Sequence, residues 1–472
     1  MPAMTGPEPL AAGPPAAPPL GRASWLAEAR ATVVLAVPLV LTQVAQIGIG
    51  TTDILLTGRL GAQALASGAL AMNLYMTLWL FGLGVVNAVA PLAAEAEGAG
   101  RPDDVRRVVR QGLWVATAYS LPALVILWQA EVILLWFGQE PANAALAGDY
   151  MHALMWSFPC SLWLIVLRNF VAAVGRPSLM MLVLICGIAL NYVGDLLLMF
   201  GHLGFPALGI VGAGIVSALV YALMFLALAA IVVKHPVLRT YQLFIRIWRS
   251  DWVRFREILR LGWPIGTSIV AESGLFAAVG LLMGLIGTDA LAAHTVAVQC
   301  AVIAFMLPLG ISQATTVRVG LARGAGRPRE AARAGWTGIG IGPVVLLSVA
   351  LVFLLMPEAL VAAFAIESPE VRELAVLFLA VAALFQAFDG TQAIAQGALR
   401  GLKDTRVPMY FALFSYWLFG MPVCALLGFG LDLGAVGIWL GLAAALGMAA
   451  FLLVLRFRRL EQSLLRPPGL LA

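Results

Sequence analysis

Four acidic residues of this 472-residue chain sit where acids are costly. Asp53, Asp195, Glu272 and Asp389 each lie within a long apolar run, with polar neighbours at helical spacing. Asn191 and Asp195 are four apart and so share one helix face. Ser268 stands one turn before Glu272, and Gln386, Asp389, Gln392 and Gln396 form a polar stripe on an otherwise apolar segment. A carboxyl in hydrocarbon costs about 3 kcal/mol or more unless it is neutralised or hydrated, so such stripes face protein or a cavity rather than lipid. Low dielectric favours the protonated form of a carboxyl, whereas a nearby cation favours the ionised form. A site of this kind holds a proton, Na⁺ or an organic cation, but not all together, which is the physical basis of exchange.

The elements that carry these residues are membrane-spanning helices. The chain is 62% hydrophobic and 11% charged, with mean hydropathy +0.96; a soluble domain has roughly a quarter charged residues. Stretches long enough to cross the hydrocarbon lie near 31–57, 63–90, 108–130, 150–174, 178–200 and 208–233, then 259–286, 290–319, 335–356, 372–399, 408–429 and 433–455. The expected fold is all-α integral membrane, with twelve transmembrane helices in two pseudo-symmetric six-helix bundles. Of the 29 lysines and arginines, all but Arg59 and Arg372 fall in the termini and loops of one side, including Arg168 and Arg176 around the fourth turn and Arg400 and Lys403 after the tenth span. The positive-inside rule makes that side the cytoplasm, with both termini there. Residues 1–22 read as a disordered cytoplasmic tail, 23–233 as an N-lobe, 234–258 as a cytoplasmic linker, 259–458 as a C-lobe and 459–472 as a second tail. Trp248, Trp252 and Phe255 among arginines suggest an amphipathic linker helix on the membrane surface.

The two halves repeat each other. Residues 38–102 align without a gap on 264–328, pairing Pro38 with Pro264 and Gly98-Ala99-Gly100-Arg101-Pro102 with Gly324-Ala325-Gly326-Arg327-Pro328. Internal duplication in a long apolar chain is the signature of a two-lobed transporter with its site between the repeats. The paired prolines suggest paired bends. The acids break the repeat: Glu272 aligns with Gln46, Asp53 with Val279, Asp389 with Trp163 and Asp195 with Met421. A purely structural need would have been duplicated with the fold.

Other classes find little support. The net charge of +5 is spread over short loops with no single basic face, so no nucleic-acid partner is expected. Cys160, Cys186, Cys300 and Cys424 lie in apolar runs without metal-ligand spacing and read as small core residues. His152, His202 and His235 have no ligand partners, and His294 reads as a packing residue. There is no phosphate-binding Gly-x-x-x-x-Gly-Lys run and no hydrolase motif. No cofactor beyond a coupling ion is expected, and no enzymatic activity.

Several runs resemble the MATE (multidrug and toxic compound extrusion) family, in its NorM-like branch. They are Leu261-Gly262-Trp263-Pro264-Ile265-Gly266 followed by Glu272; Leu291-Ala292-Ala293-His294-Thr295-Val296-Ala297; Asp389 and Gln392 followed by Gly397 to Thr405; and Pro38, Gln43, Asp53 and Gly58. The resemblance implies a secondary antiporter of the bacterial inner membrane, monomeric, exporting organic cationic drugs in exchange for Na⁺ or H⁺. It implies a cation or proton site at Glu272 and Asp389, with Na⁺ possible there, and an N-lobe cluster of Asp53, Asn191 and Asp195, to which Asn169 is a candidate addition. The Asn191/Asp195 pair resembles the DinF branch, where H⁺ coupling is more often proposed. The family often has Tyr one turn before the acid of the tenth span; here that residue is Phe385, so the C-lobe ion shell is expected to differ. Gln386, Gln392, Asn169, Met72 and Met306 are candidate lining for a drug cavity. The rival readings are a lipid-linked oligosaccharide flippase, which would want a basic interior, and a membrane-embedded enzyme, for which no catalytic set is visible.

Overall fold

The computed structural model describes residues 22–364, 366 and 368–465. The tails expected at 1–22 and 459–472 lie outside them, except that Arg22 opens the first helix and the last helix runs on to Leu465. Among the described residues the chain is helical throughout, with no strand. Twelve spans follow: α1 Arg22–Gly58, α2 Ala62–Gly98, α3 Pro102–Trp128, α4 as the bent pair Pro141–Leu154 and Ser157–Ala173, α5 Ser178–Leu198 and α6 Gly209–Lys234 form the N-lobe. The C-lobe comprises α7 Trp252–Ile286, α8 Thr288–Gly324, α9 Pro328–Leu355, α10 Pro369–Gly401, α11 Arg406–Gly430 and α12 Gly434–Leu465. The two pieces of α4 meet at 44°. Short helices Ala130–Trp136 and Pro357–Ala362 follow α3 and α9 at matching places in the two lobes.

The repeat is visible in local chemistry. Pro38 and Pro264 sit inside α1 and α7, and the hydroxyl four residues on donates to each proline carbonyl, Thr42 at 2.7 Å and Ser268 at 2.9 Å. The amide that each proline lacks would have bonded Val34 or Arg260 one turn earlier, whereas the hydroxyl bonds the proline's own carbonyl one turn later. Gly100 and Gly326 turn the chain with φ of 67° and 69°, and Pro102 and Pro328 then begin the next helices. An L side chain is strained at such a φ, so glycine is what allows the turn. Helix α2 breaks at Ala88, where Pro91 withholds the amide that would bond Asn87.

The lobes touch along one half of their length. A Cβ on Gly98 would strike the Leu321 backbone, and one on Gly324 would strike that of Glu95. These are one contact seen twice under the repeat, as are Gly84 against Gly266 and Gly310 against Val40. Backbones this close require glycine. Toward the other end, Gly48, Gly68, Gly280 and Gly284 meet only their own lobe, and Gly50 and Gly58 meet nothing. Ion pairs seal the touching half: Arg318 grips Glu28 through Nε and Nη2 at 2.8 and 2.7 Å, Arg254 lies 3.7 Å from Asp104, and Glu95 pairs with both Arg323 and Lys403. The close backbone contacts and ion pairs between the lobes thus gather at the basic end.

The linker corrects one expectation. No amphipathic helix forms between the lobes: a 3₁₀ turn at Leu238–Tyr241 gives way to turns, with Gln242 and Arg246 at φ of 50° and 53°. Trp252 and Phe255 belong to the first turn of α7, where their rings meet edge to face. The linker carbonyls are taken up by α3 instead, from Arg110 to Arg246, Gln111 to Arg249 and Trp114 to Ile247. Tyr241 donates to Glu97 at 2.8 Å, and burial together with that carboxylate pushes its phenol above the usual tyrosine range.

Candidate functional site

The N-lobe acids come together. Asp53 of α1 accepts from Ser217 of α6 at 3.4 Å and lies against Asn191 and Asp195 of α5. All four are buried, Asn191 and Asp195 completely. One oxygen of Asp53, both of Asp195 and both polar atoms of the Asn191 amide have no hydrogen-bond partner among the described residues. Two adjacent carboxyls in a low-dielectric interior cannot both carry charge without a cation or a proton between them. Ser217 escapes sequence reading because serine is common in spans and nothing in its spacing marks it.

The C-lobe acids also meet. Glu272 of α7 and Asp389 of α10 interact electrostatically, and Gln392 and the Arg400 guanidinium both lie within reach of Glu272. Asp389 and Gln392 are 4% and 1% exposed, and one oxygen of each has no partner. Gln392 Nε2 donates to the Tyr416 hydroxyl at 2.6 Å. Tyr416 is fully buried in a stretch of α11, Phe414–Gly420, wound with the wider π hydrogen-bond pattern. Such windings are rare and cluster at functional sites. A phenol thus stands at Gln392, on a different helix from Phe385. Phe385 itself is fully buried and packs against Trp439, 5.5 Å between ring centres.

Two arginines stand apart from the expected loop positions. Arg168 lies inside α4, 4% exposed, donating to Gln43 at 3.1 Å and Gln46 at 3.4 Å, with its Nε unpartnered. Arg400 lies within α10 beside Glu272 and donates to Gln396 at 2.7 Å. Arg168 falls within the fourth apolar run itself, six residues before its end at 174, and Arg400 falls in the last turn of α10, which runs to Gly401. An arginine within an apolar run, as in Leu164-Ile165-Val166-Leu167-Arg168, was the available signal.

The candidate cavity residues separate. Gln386 is fully buried and donates to the Ala301 carbonyl at 3.2 Å, joining α10 to α8. Asn169 donates to Val86 and Asn87 at the break in α2, at 3.2 and 3.3 Å, and no bond links it to the Asp53 cluster. Met72 is half-buried against the N-lobe core, and Met306 is half-buried on α8. His294 is buried against the edge of Trp439, in keeping with packing. Cys300 and Cys424 are core residues, but Cys186 is exposed on α5 because its position falls on the outward face of that helix. Among the described residues no group of three or more His, Cys, Asp or Glu side chains is placed to hold a metal ion.

Comparison with known proteins agrees with this architecture. The sequence profile of the MatE family matches residues 38–197 and again 264–426, each copy beginning at one of the paired prolines. The chain is 47% identical over 450 residues to a probable multidrug resistance protein NorM of Mesorhizobium japonicum, covering 94% of this chain and 96% of that one. It is 46% identical to a protein of the same description from Brucella suis, covering 92% and 94%. Among solved structures, a eukaryotic MATE transporter superposes with a TM-score of 0.83 at 22% identity, covering 93% of this chain and 98% of that one. A MATE in the bent conformation superposes with a TM-score of 0.85 at 19% identity, covering 93% and 96%.

Proposed function

The chain belongs to the MATE family of membrane transporters, and we propose that it is a multidrug efflux antiporter that exports organic cations in exchange for Na⁺ or H⁺. It is a transporter and not an enzyme. The observation that carries the antiport reading is the pair of acid clusters inside the bundle, one per lobe, each with at least one carboxyl oxygen left without a partner. Side chains kept for packing alone would be cheaper as hydrocarbon. Coupling acts through competition: a cation or proton that neutralises Asp53/Asp195 or Glu272/Asp389 removes the charge that would otherwise hold a cationic drug.

In this reading the protein lies in the bacterial inner membrane as a monomer, with both termini and the basic end in the cytoplasm, and the lobes part at the opposite, outer end. Export then proceeds by rocking of the lobes about the glycine contacts, with Asp53, Asn191 and Asp195 serving one lobe and Glu272 and Asp389 the other. Efflux of a fluorescent organic cation from proteoliposomes, with Na⁺ and pH gradients imposed separately, tests the assignment. Glu272→Gln and Asp389→Asn are expected to abolish efflux while leaving the protein inserted. Normal efflux from both variants would refute their role.

A further inference from the structure

A cavity of about 270 Å³ lies at the basic end of the C-lobe, between the start of α7 and the turn from α10 into α11. Glu257, Arg260, Lys403, Asp404, Thr405 and Arg406 line it. Its acids are already neutralised from within the protein. Glu257 pairs with Arg254 at 2.6 Å and with Lys403 at 3.1 Å, and Asp404 pairs with Arg456 at 2.7 Å. Arg260 and Arg406 are exposed and make no ion pair among the described residues. Thr405 is 4% exposed and its hydroxyl has no partner, although it stands at the N-cap of α11 where a hydroxyl ordinarily takes up a first-turn amide.

Two unpaired guanidiniums, uncapped first-turn amides and an unspent hydroxyl surround one space. That donor set matches an anion with several oxygens. The neighbouring surface says where the anion comes from. Trp263, one turn beyond Arg260, is 49% exposed, and Tyr410, one turn beyond Arg406, is 61% exposed. Aromatic side chains at the end of a span mark the level of lipid headgroups, and basic pockets between spans recognise anionic ones.

We propose that this cavity binds the phosphodiester headgroup of an anionic phospholipid. Arg260 and Arg406 clamp the phosphate, Thr405 and the first amides of α11 complete its hydrogen bonds, and the acyl chains run past Trp263 and Tyr410. A zwitterionic choline headgroup fits poorly because it brings its own positive charge to the arginines. The bound headgroup touches Lys403, whose ammonium also holds Glu95 of the opposite lobe, so occupancy bears on the contact that closes the basic end.

Native mass spectrometry of the purified full chain tests this, with phosphatidylglycerol and phosphatidylcholine as probes. The parent is expected to retain phosphatidylglycerol over phosphatidylcholine, and the double variant Arg260→Gln/Arg406→Gln to lose about tenfold or more of that retention, since both charged hydrogen-bond donors to the phosphate are gone. Arg59→Gln, at the opposite end, is expected to behave as the parent. Equal retention of the two lipids by the parent, or undiminished phosphatidylglycerol in the double variant, overturns the proposal. So does inorganic phosphate protecting the parent against heating as well as phosphatidylglycerol does, which would make this a free-phosphate site. Should the double variant aggregate, Arg406→Gln and Thr405→Val carry the test. Each is expected to lose retention several-fold, and full retention in both overturns the assignment.

Discussion

Replacing Tyr416 by Phe removes one oxygen from the C-lobe interior and tests whether that phenol shapes the cation site or only fills space. Gln392 Nε2 donates to it at 2.6 Å, and the two side chains are 1% and 0% exposed. Water has no ready access there, and Gln392 Oε1 already lacks a partner. Stranding the amide donor costs about 1–3 kcal/mol, or roughly a 5- to 150-fold change in an equilibrium constant. Tyr416 lies within electrostatic reach of both Glu272 and Asp389, so the loss is expected to fall on the cation-loaded state. Y416F should raise the half-saturating concentration of the driving cation by about tenfold, read as drug efflux from proteoliposomes against stepped Na⁺ and pH gradients. Thermal unfolding of the same preparation separates the alternatives. An unchanged half-saturating concentration together with a lowered Tm would show that the phenol braces the bundle and has no part in coupling.

Lys403→Gln should loosen the basic end, because it leaves Glu95 and Glu257 without the cation that joins them across the lobes. At about 1 kcal/mol per partly exposed pair, the closed form loses several-fold in population, measurable as faster labelling of a cysteine placed at that end. Gly98→Val should prevent closure outright, since its Cβ would collide with Leu321 backbone; a variant that still transports at the parental rate would refute rocking about these contacts. Thr42→Val and Ser268→Val remove the hydroxyls behind Pro38 and Pro264. Each is expected to cost about 1 kcal/mol, seen as a small fall in Tm with insertion intact.

Much of the architecture was legible because lipid imposes so few options on a backbone. Twelve apolar runs and a clean asymmetry of basic residues sufficed for the span order, and the glycine-rich repeat marked the helices that carry the lobe contacts. Asn191 with Asp195, and Asp389 with Gln392, were readable as pairs because i,i+3 and i,i+4 spacing survives in a sequence. What joins different helices was not. Ser217 and Tyr416 reach their sites through tertiary packing alone, and Arg168 was grouped with the loop arginines by its charge although it lies within the fourth apolar run, where its helix buries it. The linker was misread for a related reason: aromatic and basic residues suggested an amphipathic helix, but left-handed residues at Gln242 and Arg246 and hydrogen bonds from α3 hold it as turns.

The two arginines change how the acid clusters are understood. Each lobe encloses two carboxyls and one guanidinium: Asp53, Asp195 and Arg168 in the first, Glu272, Asp389 and Arg400 in the second. Arg400 acts directly on Glu272, whereas Arg168 is farther from its acids, with Tyr221 within electrostatic reach of both Asp53 and Arg168. Arginine keeps its proton in proteins, so Arg400 leaves one unit of negative charge on the ionised Glu272/Asp389 pair, which a single monovalent cation would cancel, whereas Arg168 bonds Gln43 and Gln46 and neither acid of its lobe. A buried net charge is costly and a neutral set much less so. The Asp53/Asp195 pair, with no guanidinium bonded to it, is left with the greater need of a proton or cation to offset its burial.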